Sequence, residues 1–329
     1  MGVKKLYDVI RDKSPESITI HNINDFKNST LLIDGVHMIY KNVMAIRKNG
    51  YDIMNGNKNI THIHSMMNKL KKFKQLKITP IFVFDGKPPS LKFKTLKERE
   101  RIQKIMQSKY LQAKTKEQKK KYYYLKSDIT QSEIDESIKL IQLFGYCTLF
   151  AEEEADQLLA SLSKNPKIDA IVTDDMDILV FGGKNILKDF SVDPTRKFYK
   201  IDLETFKKDS GFNQDKLIVL ALLLGTDYSV NVPNVGPKKA PDLVKKYKTI
   251  DQLYKAGILT TKSMKDNFVS SFNIFKKTYL VKECDLDINC FNKPIDYNNL
   301  KKYLLGFNYT NQKINELEME LKSYKKNKK

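Results

Sequence analysis

The sequence predicts an α/β fold, a mostly parallel twisted sheet flanked by helices, with a helical insertion and a helical C-terminal region. Short, nearly all-apolar runs alternate with helical periodicity through the first two hundred residues. After about Leu217 the pattern is helical, with no clear strands. A charged stretch, Leu91–Lys126, interrupts the alternation between two strands. In chain order the strands are expected at Thr30–Ile33, Pro80–Phe84, Tyr146–Phe150, Ala170–Thr173, Ile186–Lys188 and Phe198–Ile201. Helices are expected near Val36–Arg47, His62–Leu76, Ser132–Phe144 and Ala155–Leu162, with Gly145 as a C-terminal cap ahead of a strand. Leu91–Lys126 has few strong apolar positions and many helix formers, which predicts exposed helices rather than core. The end, KSYKKNKK, reads as a short basic tail expected to be disordered.

At 329 residues the chain is long enough for a sizeable core. No run of about 18 apolar residues is present, so no membrane span is expected. The start, MGVKKLYDVI, lacks the apolar stretch of a signal peptide, and Leu6 breaks the myristoylation pattern. Cys147, Cys284 and Cys290 form no metal or disulfide spacing, so reduced cysteines and an intracellular site are expected. The formal net charge is +20. Leu91–Lys126 alone carries 13 Lys/Arg against 3 Glu, a surplus of +10 and half of the total. A polyanionic partner, nucleic acid or an acidic membrane face, fits this charge, although lysine-rich composition by itself also describes a solvated surface.

Against that basic background, acidic residues recur where strands end. TLLIDG ends in Asp34, IFVFDG ends in Asp85, and AIVTDDMD carries Asp174, Asp175 and Asp177. Singly, each is a helix cap or a turn residue. Together they mark the carboxyl edge of a parallel sheet, where ligands bind. FAEEEADQLLASL adds acids at a helix start and LLLGTDYS adds Asp227. Converging carboxylates repel one another unless protons or cations intervene. The four histidines, His21, His37, His62 and His64, show no zinc-site spacing, whereas carboxylates alone suit Mg²⁺ or Mn²⁺. Two such ions can bind the attacking and leaving oxygens of a phosphodiester.

The chain resembles the flap endonuclease branch of the structure-specific 5′ nucleases, which includes the xeroderma G-type nucleases, 5′ exonucleases and junction-resolving members. The resemblance lies in MGVKKLYDVI, LLIDGVHMIYK, PIFVFDGKPPSLK, EADQLLASL, VTDDMDILVFG and LLLGTDYSVNVPNVGPKKAPDLV, in family order over roughly residues 1–310. It implies a PIN-like nuclease core formed by 1–90 and 131–215. A helical arch would lie at 91–130, a helix–turn–helix DNA-binding region with C-terminal helices at 216–315, and a basic tail at 316–329. The resemblance assigns Asp34, Asp85, Glu154, Asp156, Asp175, Asp177 and Asp227 as ligands of two Mg²⁺ ions, with Mn²⁺ able to substitute. Glu152 is the alternative to one of the Glu154–Asp156 pair, and Asp174 matches an acidic position that binds no metal. Lys92 and Arg99 match arch residues that contact the scissile phosphate. Tyr40 matches an aromatic that stacks on a terminal base, and Gly2 a small residue near the active site after loss of Met1; Arg47 joins this DNA-contacting set. VPNVGPKKAPDLVKKY resembles the element that grips duplex DNA through a tight turn and a cation such as K⁺. Here Asn234 stands where the family has its first glycine, and Asn tolerates positive φ. Gly236, Lys238 and Lys239 complete the expected contacts.

The resemblance thus implies a Mg²⁺-dependent nuclease acting on DNA with a 5′ flap, nick, gap or end, in replication, repair or recombination. A 5′→3′ exonuclease, a junction-resolving enzyme and an RNA-degrading member are its alternatives, and a nuclease-dead DNA-binding scaffold is the alternative from another class. No sliding-clamp motif is seen, and a monomer working in the nucleus or at a viral or cytoplasmic replication site is expected.

Overall fold

The computed structural model describes residues 2–3, 5–86, 93–280 and 293–326. The chain divides into two compact units, both discontinuous in sequence. The first contains Met1–Ile23, Asp85–Phe93 and Ala151–Leu286; the second contains Asn24–Phe84, Lys94–Phe150 and Asp287–Lys329. In chain order, α1 (Leu6–Lys13) and β1 (Ile18–His21) are followed by β2 (Thr30–Asp34) and α2 (Gly35–Arg47). The short strands β3 (Met54–Asn55) and β4 (Lys58–Asn59) precede α3 (Thr61–Leu76) and β5 (Thr79–Phe84). Next come α4 (Phe93–Gln112), α5 (Lys116–Lys126), α6 (Gln131–Leu143) and β6 (Cys147–Phe150). The order continues with α7 (Ala155–Leu162), β7 (Ala170–Val172), the one-turn α8 (Asp177–Val180), β8 (Asn185–Lys188) and β9 (Phe198–Asp202). Helices alone follow: α9 (Leu203–Ser210), α10 (Gln214–Leu224), α11 (Ala240–Lys246), α12 (Ile250–Lys255), α13 (Lys262–Leu280), α14 (Tyr297–Leu305) and α15 (Asn311–Lys326).

In the second unit the strand order is β2-β5-β6, all parallel. Each step is made through helices, as parallel neighbours require. Leu31–Ile33 and Ile81–Val83 are fully buried, which explains why these strands read as unbroken apolar runs. Phe73 and Phe82 pack on the ring of Tyr146 at 6.5 Å, the former edge-on. In the first unit the order is β1-β9-β8-β7. β7 and β8 are parallel, whereas β9 runs antiparallel to both β8 and β1. A short excursion without a helix joins β8 to β9, and that link permits only antiparallel pairing. Apart from the small antiparallel β3–β4 pair, the pairings within the two units are three parallel (β2–β5, β5–β6, β7–β8) and two antiparallel (β8–β9, β1–β9).

α10, QDKLIVLALLL, is buried on nearly every side, from Leu217 to Leu224. It is a core helix rather than an amphipathic one, hence its lack of a polar stripe. α4 and α5 occupy the charged insertion, and α5 buries no residue. The segment expected as one C-terminal region is shared out: α10–α13 belong to the first unit, α14 and α15 to the second.

Candidate active site

The first unit builds its acidic centre from backbone contacts. Asp85 and Gly86 are laced to the start of α7. The Asp85 carboxylate accepts the Ala155 N–H at 2.8 Å, and the Gly86 N–H donates to the Glu153 carbonyl at 2.6 Å. Asp85 thus caps a helix whose positive end favours a carboxylate. A Cβ on Gly86 would lie 2.3 Å from the Ala151 carbonyl oxygen, so a glycine is needed for the two segments to approach. Glu154 then takes the N-cap position of α7 and is buried (6% exposed), while Glu152 and Glu153 face solvent. Asp156 lies half-buried in the first turn.

VTDDMDIL folds back on itself after β7. The Asp175 N–H donates to Thr173 Oγ1 (3.1 Å), and the Asp175 carboxylate accepts the Asp177 N–H (3.0 Å). Both carboxylates are buried, Asp177 almost completely (1% exposed). Gly2 lies against this pair with a φ of +75°; a Cβ there would be 1.8 Å from Asp175 Oδ1 and 2.8 Å from Asp177 Oδ1. Asp174 is engaged elsewhere: its Oδ1 accepts the N–H of Asp189, 2.7 Å away. Asp227 lies half-buried in the turn after α10, where Thr226 Oγ1 accepts the N–H groups of Tyr228 and Ser229 at 3.2 and 3.1 Å. The next residue, Tyr228, is buried, and its phenol donates to the Glu154 carboxylate. Burial, and then the charge of Glu154, push that phenol far above its ordinary range.

In the second unit, Asp34 ends β2, caps α2 by accepting the His37 N–H at 2.9 Å, and is buried. Among the described residues no three acidic, histidine or cysteine side chains are grouped closely enough to grip a metal ion as they stand. The donor chemistry nonetheless fits a hard divalent ion: every expected ligand is a carboxylate, and Glu154, Asp175 and Asp177 are buried ones.

The expected DNA contacts fare unequally. Lys92 lies outside the described residues, as does the side chain of Arg99, whose backbone belongs to α4. Tyr40 is exposed on α2. Asn234 adopts a φ of 60°, so the left-handed turn is kept without glycine. Gly236 has open space where a Cβ would be, and its carbonyl accepts the N–H groups of Lys239 (3.0 Å) and Ala240 (2.9 Å) at the start of α11. Lys238 and Lys239 are exposed.

The structure corrects the expectation for Arg47. Its side chain is buried (6% exposed) within the second unit, and its guanidinium is committed to protein partners. Nε donates to Asp52 at 2.8 Å, one terminal nitrogen to the Asp128 carbonyl, and the other to Glu133 at 2.6 Å. A buried fork committed to three protein partners has a structural role, and its burial turns it away from solvent phosphate. Asp52 is further held by Thr61 (3.0 Å) and by the Tyr123 phenol. Sequence reasoning missed these partners and also Tyr228, whose one visible signal was its place beside Asp227.

Two family models match the chain, the XPG N-terminal domain over residues 1–106 and the XPG I-region over 145–227. Flap endonuclease 1 of Homo sapiens is 31% identical over 261 residues, covering 78% of this chain and 69% of that protein. The chain belongs to the flap endonuclease and XPG family. Flap endonuclease 1 of Theileria annulata is 32% identical over 279 residues, which is 82% of this chain. The chain spans about half the length of that curated relative, 55%. The solved flap endonuclease-1 of Methanococcus jannaschii shares the fold, with a TM-score of 0.71, 22% identity and complete coverage of both chains. All seven expected ligands fall within the two XPG-matched regions: Asp34 and Asp85 in the first, the other five in the second.

Proposed function

We propose that the chain is a structure-specific 5′ nuclease that hydrolyses phosphodiester bonds in DNA with the aid of two divalent cations. The observation that carries this reading is the burial of Glu154, Asp175 and Asp177 in a chain with a formal charge of +20. Buried carboxylates are costly unless cations or hydrogen bonds compensate them. Asp175, Asp177 and Asp227 would mainly hold one Mg²⁺. Asp34, Asp85, Glu154 and Asp156 would hold the second or bridge, with Mn²⁺ able to replace either ion. Such ions, when bound, supply Lewis acidity to the phosphate and activate water for attack.

The protein's own groups do the rest. Lys92 and Arg99 stabilise negative charge growing on the scissile phosphate. The exposed Tyr40 ring stacks on a terminal base, an interaction worth about 1–3 kcal/mol. The 233–237 turn, held by Asn234, offers backbone groups to duplex phosphate directly or through K⁺, and Lys238 and Lys239 add salt-sensitive contacts. The substrate is DNA with a 5′ flap, nick, gap or end, which places the enzyme inside the cell.

A labelled substrate panel of 5′ flap, blunt duplex, four-way junction and RNA, with Mg²⁺ and with chelator, tests this reading. Metal-dependent flap cleavage is expected, and Asp177→Ala should abolish it while flap binding persists. Full activity in that variant would sink the assignment; absence of cleavage on every substrate would favour a DNA-binding scaffold.

A further inference from the structure

We infer that Tyr228 is a positioning residue for Glu154, holding one of its carboxylate oxygens in place before any cation binds. The inference rests on the reading of Glu154 as a metal ligand and assigns the residue that presets it. Tyr228 immediately follows Asp227, is 3% exposed, and donates its phenol proton to Glu154 Oε2. The ring stands edge-on to Phe181 (centroids 6.3 Å apart, planes at 90°) and to Phe275 (5.2 Å, 82°). Its backbone is tied to α13: the carbonyl accepts from Ser271 Oγ at 2.9 Å and from Asn267 Nδ2 at 3.3 Å. Its N–H donates to Thr226 Oγ1 at 3.2 Å. The phenol is therefore fixed at both ends of the residue, and it reaches Glu154 from a position that cannot swivel without breaking these contacts.

Two physical consequences follow. Glu is a rotamer-rich side chain whose ordering costs conformational entropy; a fixed donor makes that ordering part of folding rather than of metal binding. The donor is also neutral. A lysine at this place would offset the carboxylate charge and compete with a cation, whereas a phenol orients Glu154 and leaves its charge intact. Partners of metal ligands that act in this way change metal affinity about 10–100-fold when removed. A tyrosine that merely fills the core would show no such effect, because Tyr228→Phe keeps the ring and its aromatic neighbours.

The test uses the full chain. Mn²⁺ is titrated calorimetrically into DNA-free wild type, Tyr228→Phe, Glu154→Gln and the double variant, and melting temperature and flap-DNA affinity in chelator are recorded for each. Tyr228→Phe should bind Mn²⁺ about 10-fold more weakly, with flap affinity unchanged. Adding it to Glu154→Gln should cause no further loss, since the phenol acts only through that carboxylate. Wild-type-like Mn²⁺ affinity in Tyr228→Phe, or a full additional loss on Glu154→Gln, overturns the inference. Should Tyr228→Phe not fold, Ser271→Ala carries the test: it loosens the Tyr228 carbonyl, so a smaller loss in the same direction supports the role and none refutes it. Wild type that binds no Mn²⁺ would instead overturn the nuclease reading itself.

Discussion

Replacing Arg47 by methionine tests whether this arginine is a structural fork or a DNA contact. The substitution keeps most of the apolar stem and removes three hydrogen bonds, to Asp52, the Asp128 carbonyl and Glu133. Removing one partner of a buried ion pair costs about 3–5 kcal/mol, because the other charge stays buried. Asp52 keeps Thr61 and Tyr123, and Glu133 keeps its bonds to Thr130, so the low end, about 3 kcal/mol, applies. In a unit of this size that lowers the melting temperature by about 6–12 °C. The pH profile should change as well. Burial alone would raise the Asp52 carboxyl, but hydrogen bonds from Tyr123 and Arg47 outweigh it and hold the group below its usual range. A depressed folded pKa adds stability above the unfolded value and loses it as pH falls below about 4. The acid limb of urea-midpoint against pH should therefore flatten in Arg47→Met. Urea unfolding from pH 3 to 7, beside flap-DNA anisotropy at 15 °C where the variant remains folded, reads both effects. An unchanged urea midpoint together with weakened flap binding would refute the structural reading.

Three further substitutions probe the acidic centre. Gly2→Ala places a Cβ within 1.8 Å of Asp175 Oδ1 at a φ of +75°, and should reduce metal-dependent cleavage at least 10-fold with little change in melting temperature; wild-type rates would show that the backbone at Gly2 does not press on this pair. Asp174→Ala should keep flap cleavage within about twofold while costing about 1 kcal/mol in urea unfolding, from the lost bond to the Asp189 N–H. Gly86→Ala would drive a methyl into the Ala151 carbonyl and separate Asp85 from Ala155, so flap cleavage should fall by about 10²-fold; cleavage within twofold of wild type would refute the lacing argument.

The sequence reveals parts of this architecture for clear physical reasons. Strands buried on both faces must be continuously apolar, so β2, β5 and β7 can be read directly. β1 cannot: ITIH is an edge strand with Ile20 64% exposed, and burial left little pattern to find. β3 and β4 have two residues each, too few for any periodicity. The acids at strand ends are legible because sheet topology fixes where carboxyl ends lie. Arg47 is not, since its partners lie 5, 81 and 86 residues away and local sequence cannot say which side of α2 faces them. Asn234 is legible through the resemblance, which puts a glycine at this turn, together with the tolerance of Asn for positive φ.

Glu133 has a consequence for cooperativity. One carboxylate oxygen accepts the Thr130 N–H at 2.9 Å, closing the capping box of α6, and the other takes the Arg47 guanidinium at 2.6 Å. The first turn of α6 and the long-range lock on α2 therefore share a single side chain. Fraying at that helix end, ordinarily cheap and local, would release a buried arginine 86 residues away in sequence. The two openings are thereby joined in one cooperative step, and the amides at this helix start inherit a protection against hydrogen exchange that their exposed neighbourhood would not give them.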